Sequence, residues 1–101
     1  MDTTQITEGP TATQVVLGAN MEIAMAQILY QQLTPLLTHS TALVVDAHQV
    51  LRIDTAILQT LVCFRRSALA RAIPFQWCAV SPALKQAAQQ LGLDRVLFGE
   101  R

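Results

Sequence analysis

The chain has 101 residues and a formal net charge of zero, and 51% of its residues are hydrophobic while only 14% are charged. This length favours one domain with a small core, and the apolar composition argues against disorder beyond the ends. Balanced charge without a basic stripe gives nucleic-acid binding little support. Because no apolar run could span a bilayer and no cleavable leader opens the sequence, we expect a cytoplasmic protein. So few surface charges also predict a patch that another protein covers.

Strands and helices are predicted to alternate along the chain. Residues 1–13 read as a flexible N-terminal tail with a short edge strand near Gln5–Thr7, and residues 14–101 as the folded domain. Hydrophobic spacing, caps and breakers predict the following order: strand Gln14–Leu17, helix from Ile23 that breaks near Thr34 before Pro35 and resumes to Thr38, strand Thr41–Ala47, helix Asp54 to about Arg71, strand Phe75–Val80, helix from Ser81-Pro82 to Gly92, and Val96–Phe98 as a last strand or apolar anchor.

The alternation of strands and helices predicts an α/β layer structure with right-handed crossovers. The strand Thr41–Ala47 is almost continuously apolar, which favours parallel pairing and cover on both faces of the sheet. Gln14–Leu17 is expected to be an exposed edge strand, through which the chain could form a homodimer.

The stretch from Leu51 to Leu61 joins this apolar strand to the longest predicted helix. Asp54 and Thr55 stand at the junction, and both residue types cap helices because their side-chain oxygens accept from unpaired N–H groups. An exposed helix N-terminus also suits the docking of an anion or of a partner's polar groups. A cap typically contributes about 1 kcal/mol, so capping alone would explain either residue as well as docking does.

The sequence resembles the STAS domain, the fold of bacterial anti-sigma factor antagonists that also occurs in sulfate transporters. The resemblance covers Gln14 to Phe98 and depends on three motifs in order: Ile53-Asp54-Thr55-Ala56, Ser81-Pro82-Ala83-Leu84 and Leu91-Gly92-Leu93. Asp54-Thr55 followed by Leu58-Gln59 is most similar to the MlaB-like and chemotaxis-cluster forms. The resemblance implies a single domain with a mixed sheet of about four strands and helices packed mainly on one face.

One departure from the family concerns phosphorylation. The phospho-regulated antagonists that this chain resembles read Asp-Ser-Ser/Thr-Gly in the loop, and a kinase phosphorylates the second hydroxyl. Here Ala56 occupies that position and has no oxygen, and Ile57 replaces the glycine. Thr55 keeps a hydroxyl and is the fallback phosphorylation site. The resemblance therefore implies a binding module that works without a phosphate at the usual position.

Two functions follow from the resemblance, and neither is catalytic. The first is a regulatory module of the anti-sigma antagonist type, which binds a sigma-regulating or chemotaxis-linked kinase-like protein. The second is a MlaB-like accessory subunit, which binds the ATPase of an ABC-type phospholipid transporter. In both, the loop and first turns of the central helix bind the partner: Asp54 orients the loop, Thr55 hydrogen-bonds across the interface, and Ala56 allows close approach. The predicted contacts are Arg52, Asp54, Thr55, Ala56 and Gln59.

A third function is a small enzyme built around Asp46, His48 and Asp54, which would require a deep pocket with convergent polar groups. The residues argue against it, because a lone histidine rarely marks a metal and Asp is too weak a base to activate Thr55. No metal and no cofactor is predicted. Sequence position alone does not explain Arg65, which falls among the apolar residues of the central helix.

Overall fold

The computed structural model describes residues 4–99. Six strands, a short 3-10 helix and five α-helices follow one another in this order: β1 Gln5–Glu8, β2 Thr13–Val16, β3 Asn20–Met21, the 3-10 helix Ile23–Met25, α1 Ala26–Leu33, α2 Leu36–His39, β4 Leu43–Ala47, β5 Arg52–Ile53, α3 Thr55–Ala70, β6 Phe75–Val80, α4 Pro82–Gln90 and α5 Asp94–Phe98. None of the helices within this range is long and apolar enough to cross a bilayer.

The main sheet has four strands in the order β1-β2-β4-β6. β1 runs antiparallel to β2, whereas β2, β4 and β6 are mutually parallel. This arrangement confirms the predicted α/β class and the mixed sheet of about four strands. The two-residue strands β3 and β5 pair separately, in parallel.

β2 lies inside the sheet, so the prediction of an exposed edge at Gln14–Leu17 is wrong. β1 covers that side of β2 in antiparallel register, from Gln5 opposite Val16 to Glu8 opposite Thr13. The edge strand expected near Gln5–Thr7 thus extends the sheet N-terminal to the predicted domain start. The first three residues of the predicted tail lie outside the described residues.

Burial along β4 alternates, which shows that the helices cover one face of the sheet. Leu43, Val45 and Ala47 are buried, whereas Val44 and Asp46 are partly exposed. The parallel pairing predicted for this strand is confirmed, but the prediction of cover on both faces is wrong. A nearly continuous run of apolar residues can therefore form a strand that has only one face covered by helices.

Local chemistry explains where the helices end. α1 ends at Leu33 and α2 begins at Leu36, as expected because Pro35 lacks an N–H for the helical ladder. The Ser81 hydroxyl accepts from the Leu84 N–H at 3.1 Å, which caps α4 as the sequence predicts. Gly92 has φ +70°, the left-handed conformation that ends a helix.

Arg65 on α3 is hydrogen-bonded to the last apolar segment of the chain, which accounts for its position among apolar residues. Val96–Phe98 belongs to the helix α5 and not to a strand, and Leu97 is its buried anchor. The guanidinium of Arg65, on α3, donates from Nη1 to the Val96 carbonyl at 3.0 Å. Arg65 thus crosses the apolar contact between α3 and α5 and supplies a donor to a carbonyl near the end of α5.

Candidate functional site

The loop before the central helix is held by backbone pairing with a segment more than thirty residues earlier. β3 and β5 pair in parallel, with Met21 opposite Ile53. The Leu51 N–H donates to the Ala19 carbonyl at 2.8 Å, and the Asp54 N–H donates to the Met21 carbonyl at 2.9 Å. Met21 is completely buried, so its side chain fixes the position of this small ladder in the core. The entrance to α3 is therefore a defined structure and not a loose connection.

Asp54 occupies the N-cap position of α3, but its side chain does not cap that helix. Its backbone carbonyl accepts from the Ile57 and Leu58 N–H groups. Its carboxylate oxygen Oδ2 instead accepts from the Ile23 N–H at 2.6 Å, at the start of the 3-10 helix. The expectation of a side-chain cap on α3 is therefore wrong, because the carboxylate supplies the missing acceptor of a neighbouring helical turn.

An exposed surface surrounds this tie. Thr55 is the first residue of α3 and is exposed, and Gln59 follows one turn later on the same face. Arg52 is exposed beside them, and Ala56 is half-buried. The following residues are the candidate site for partner binding, and we call them the docking surface: Ile23, Leu51, Arg52, Asp54, Thr55, Ala56 and Gln59.

Two apolar members of the docking surface were not identified from the sequence. Leu51 is 70% exposed and Ile23 is 66% exposed, the two largest exposed fractions among the exposed large hydrophobic residues of the range 4–99. Leu51 adjoins Arg52 in sequence, and the Ile23 backbone is bonded to Asp54. An aliphatic residue in a polar loop was the available signal for Leu51. Ile23 gave no such signal, since helical periodicity assigned it to the start of an amphipathic helix.

The residues of the enzyme hypothesis do not form one site. Asp46 Oδ1 accepts from both the backbone N–H and the ring Nδ1 of His48, at 2.9 and 2.6 Å. The Asp54 carboxylate is bonded to Ile23 instead. None of the three residues lines the cavity between α1, α2 and α3, the shallow depression beside Arg66 on α3, or the groove between β6, α4 and α5. Within residues 4–99 there is also no cluster of three or more His, Cys, Asp or Glu side chains suited to a metal.

Asp46 has a neighbour that sequence reasoning did not connect with it, the Cys78 thiol on β6. Backbone and side-chain hydrogen bonds from His48 lower the pKa of Asp46 below its ordinary value, and the thiol bonds to the same carboxylate. Burial and the Asp46 charge raise the pKa of Cys78. Because the thiolate is the reactive form of cysteine, this environment makes Cys78 a poor nucleophile. The arrangement is a local hydrogen-bonded cluster on the open face of the sheet.

Two solved anti-sigma factor antagonists share this fold. The unphosphorylated form of SpoIIAA matches with a TM-score of 0.76 and 13% sequence identity, over 91% of this chain and 83% of that chain. An anti-sigma factor antagonist from Mycobacterium paratuberculosis matches with a TM-score of 0.79 and 22% identity, over 94% of this chain and 81% of that chain. At these identities the likeness shows the fold alone: the molecule is an α/β domain with the architecture of these two proteins.

Sequence comparison then identifies the family. The family model described as "Mlab, STAS domain" matches residues 4–99, nearly the whole chain. The chain belongs to this family of STAS domains. No curated protein sequence matches it significantly.

The tie between Asp54 and Ile23 makes a prediction about local stability. Asp54→Ala removes the acceptor of the Ile23 N–H, so we expect a loss of about 1–2 kcal/mol in unfolding free energy. Hydrogen exchange of the Ile23 amide, followed by NMR, should accelerate about tenfold because the 3-10 turn opens more easily. Asp54→Asn keeps a side-chain carbonyl and should preserve part of the protection. Equal exchange at Ile23 in the wild type and Asp54→Ala would show that the carboxylate does not hold this turn.

The cluster around Asp46 predicts a change in thiol chemistry. Asp46→Asn removes the negative charge beside Cys78, so the pKa of the thiol should fall and its alkylation by iodoacetamide at pH 8 should become severalfold faster. The rate is measured in a Cys63→Ser background. As a control, Glu8→Gln also removes one negative charge, but from β1 at the other edge of the sheet, and it should leave the rate unchanged. Equal rates for Asp46→Asn and its parent would contradict the assignment.

The same carboxylate gives stability a pH dependence of known sign. The folded-state pKa of Asp46 lies below its ordinary value of 3.8. Its contribution to stability is therefore complete above that ordinary value and is lost as the pH falls through the lowered pKa.

Proposed function

We propose that this STAS domain is a non-catalytic protein-interaction module that binds its partner through the docking surface. The observation that supports the proposal is the combination of two exposed aliphatic side chains, Leu51 and Ile23, with the exposed first residue of a long helix. Large exposed apolar groups beside exposed polar ones are typical of sites that another protein covers. The tie between Asp54 and Ile23 holds these groups together before any partner arrives, which lowers the entropic cost of binding.

Binding is proposed to use unphosphorylated Thr55. Ala56 offers no hydroxyl at the position where the phospho-regulated relatives are modified. Thr55 itself is exposed at the first turn of α3, where its hydroxyl can exchange hydrogen bonds with a partner. A negative charge there suits the free helix, because the N-terminus of a helix dipole is positive. The same charge would have to be desolvated inside an interface, which is costly unless the partner supplies a cation.

The two partner classes expected from the sequence are both candidates, and both imply that the protein acts in the cytoplasm. A sigma-regulating or chemotaxis-linked kinase-like protein agrees with the fold shared with anti-sigma factor antagonists. The ATPase subunit of an ABC-type phospholipid transporter is the second candidate, and the description of the matching family model as Mlab favours it. The docking surface would serve either partner in the same way. The arrangement of Asp46, His48 and Asp54 gives the enzyme hypothesis no support, because the carboxylates have separate structural partners.

The test is an affinity capture from the source cells with three tagged baits: the wild type, Thr55→Glu and Thr55→Ser. We expect the Thr55→Glu bait to capture at least about tenfold less of the partner ATPase than the wild type does, because a desolvated carboxylate would face the partner. Thr55→Ser keeps the hydroxyl and should retain the partner. Mass spectrometry then decides the class, since a transporter ATPase and a kinase-like ATPase differ in sequence.

Unfolding measurements on the same baits distinguish an interface effect from damage to the fold. Glu at the first helical position should not lower the unfolding free energy. At low ionic strength it should raise that free energy by about 0.3–1 kcal/mol, and salt should reduce the gain towards zero. Loss of the partner by a bait of unchanged stability therefore reports on the interface. If Thr55→Glu retains the same proteins as the wild type, the docking surface is not where the partner binds.

A further inference from the structure

The strand β6 forms an outer edge of the sheet, and its pairing with β4 is regular from Phe75 to Trp77 and shifts register between Trp77 and Ala79. It pairs with β4 on one side, and no described residue forms a backbone hydrogen bond with its other side. Its sequence, Phe75 to Val80, contains no charge, no proline and no glycine. Folded proteins usually protect edge strands with such residues or with short length, as in the four-residue β1 with Glu8 at its end. An edge of this kind is a template for another strand.

The free backbone groups on this edge can be assigned. The Leu43 N–H donates to the Pro74 carbonyl at 2.8 Å, which directs Pro74 towards β4. In a parallel ladder, alternate residues direct both backbone groups to the same neighbour. Phe75 and Trp77 therefore direct their N–H and C=O groups outward, away from β4. An added strand would find two donors and two acceptors there.

A groove runs beside this edge. It has a cavity volume of about 750 Å³, with β6 residues 77–80 on one side and α4 and α5 on the other. The indole and the Phe98 ring pack edge-to-face with centroids 5.1 Å apart, and Trp77 Nε1 donates to the Leu97 carbonyl at 2.8 Å. These contacts fix the aromatic end of the groove in place, so it offers a preformed apolar contact for one side chain of a ligand.

The charges along the groove select the ligand. Lys85 on α4 and Arg95 on α5 line it and are exposed, and Asp94 is the single acidic residue in its lining. Neither cation forms an ion pair with another residue in the range 4–99. The groove therefore carries an excess of positive charge, which is complementary to carboxylates on a ligand. A second copy of this chain would bring the same excess of cations and the uncharged strand β6, so a homodimer gains nothing from this field.

We propose that the β6 edge binds an extended acidic segment of a partner protein by strand addition. The segment's backbone pairs with the outward groups of Phe75 and Trp77, and its carboxylates face Lys85 and Arg95. An apolar side chain of the segment contacts the Trp77 and Phe98 rings. This site is independent of the docking surface, because none of the residues that form it belongs to that surface.

The test uses a capped hexapeptide of alternating valine and glutamate, titrated into the ¹⁵N-labelled full chain by NMR. We expect amide shifts concentrated on residues 75–80 and on α4 and α5. The double variant Lys85→Glu, Arg95→Glu should weaken binding about tenfold, and a peptide N-methylated at every residue should not bind, since neither of its edges can then donate to β6. Thr55→Glu should bind the peptide as the wild type does.

Three results would overturn the proposal. Shifts that avoid β6 would show that no strand is added there. Equal binding of a valine–lysine hexapeptide would show that the groove does not select acidic segments. A dimer in analytical ultracentrifugation that Cys78→Lys dissociates, while Thr7→Lys on the opposite edge strand does not, would show that a second copy occupies the edge. Both side chains are exposed, so the two lysine variants are matched in their demands on the fold.

Discussion

The hydrogen bond from the Ile23 N–H to the Asp54 carboxylate, 2.6 Å long, joins two segments that are 31 residues apart. One segment begins the 3-10 helix that precedes α1, and the other begins the central helix α3. The short parallel pairing of β3 with β5 brings them together, and buried Met21 anchors that pairing in the core. The position of the first turn of α3 depends on these contacts. The segments that carry the exposed residues Thr55, Leu51 and Ile23 are joined by the same contacts.

This use of Asp54 has a consequence for recognition. Had the carboxylate capped its own helix, it would have occupied the N–H groups of the first turn of α3. Because it bonds to Ile23 instead, the Asp54 side chain leaves the start of α3 uncapped beside the exposed Thr55. Under the proposed function, a partner would meet aliphatic contacts together with the Thr55 hydroxyl. Because these groups are already positioned in the folded domain, binding would carry a smaller entropic cost of ordering them.

Sequence reasoning succeeded where chemistry is local. Pro35 interrupts a helix whatever surrounds it, Ser81 caps the helix that follows it, and Gly92 adopts a left-handed conformation at a helix end. These features, with the alternation of apolar runs, were sufficient to predict the α/β class, whereas the mixed sheet was implied by the resemblance to STAS domains. The resemblance to STAS domains extended the prediction to the family, which the match over residues 4–99 confirms.

Non-local pairings were beyond this reasoning. Asp54 has the propensity to cap a helix, but its sequence does not specify which helix, and the acceptor is taken by a turn 31 residues away. Arg65 is explained only by the Val96 carbonyl, which is equally distant in sequence. β2 was assigned to an edge because nothing local indicates that β1 returns to pair with it. The exposure of Ile23 likewise results from tertiary packing, which helical periodicity does not encode.

The most direct test of this account is a hydrogen–deuterium exchange footprint of the full chain, free and bound to its purified partner. The account predicts slower exchange on binding at residues 22–24 and 51–59, the segments that carry the docking surface. The open face of the sheet away from β6, including Gln14 on β2 and Val44 on β4, should be unaffected. Protection of that open face with unchanged exchange at residues 51–59 would contradict the account, because the partner would then bind elsewhere on the domain.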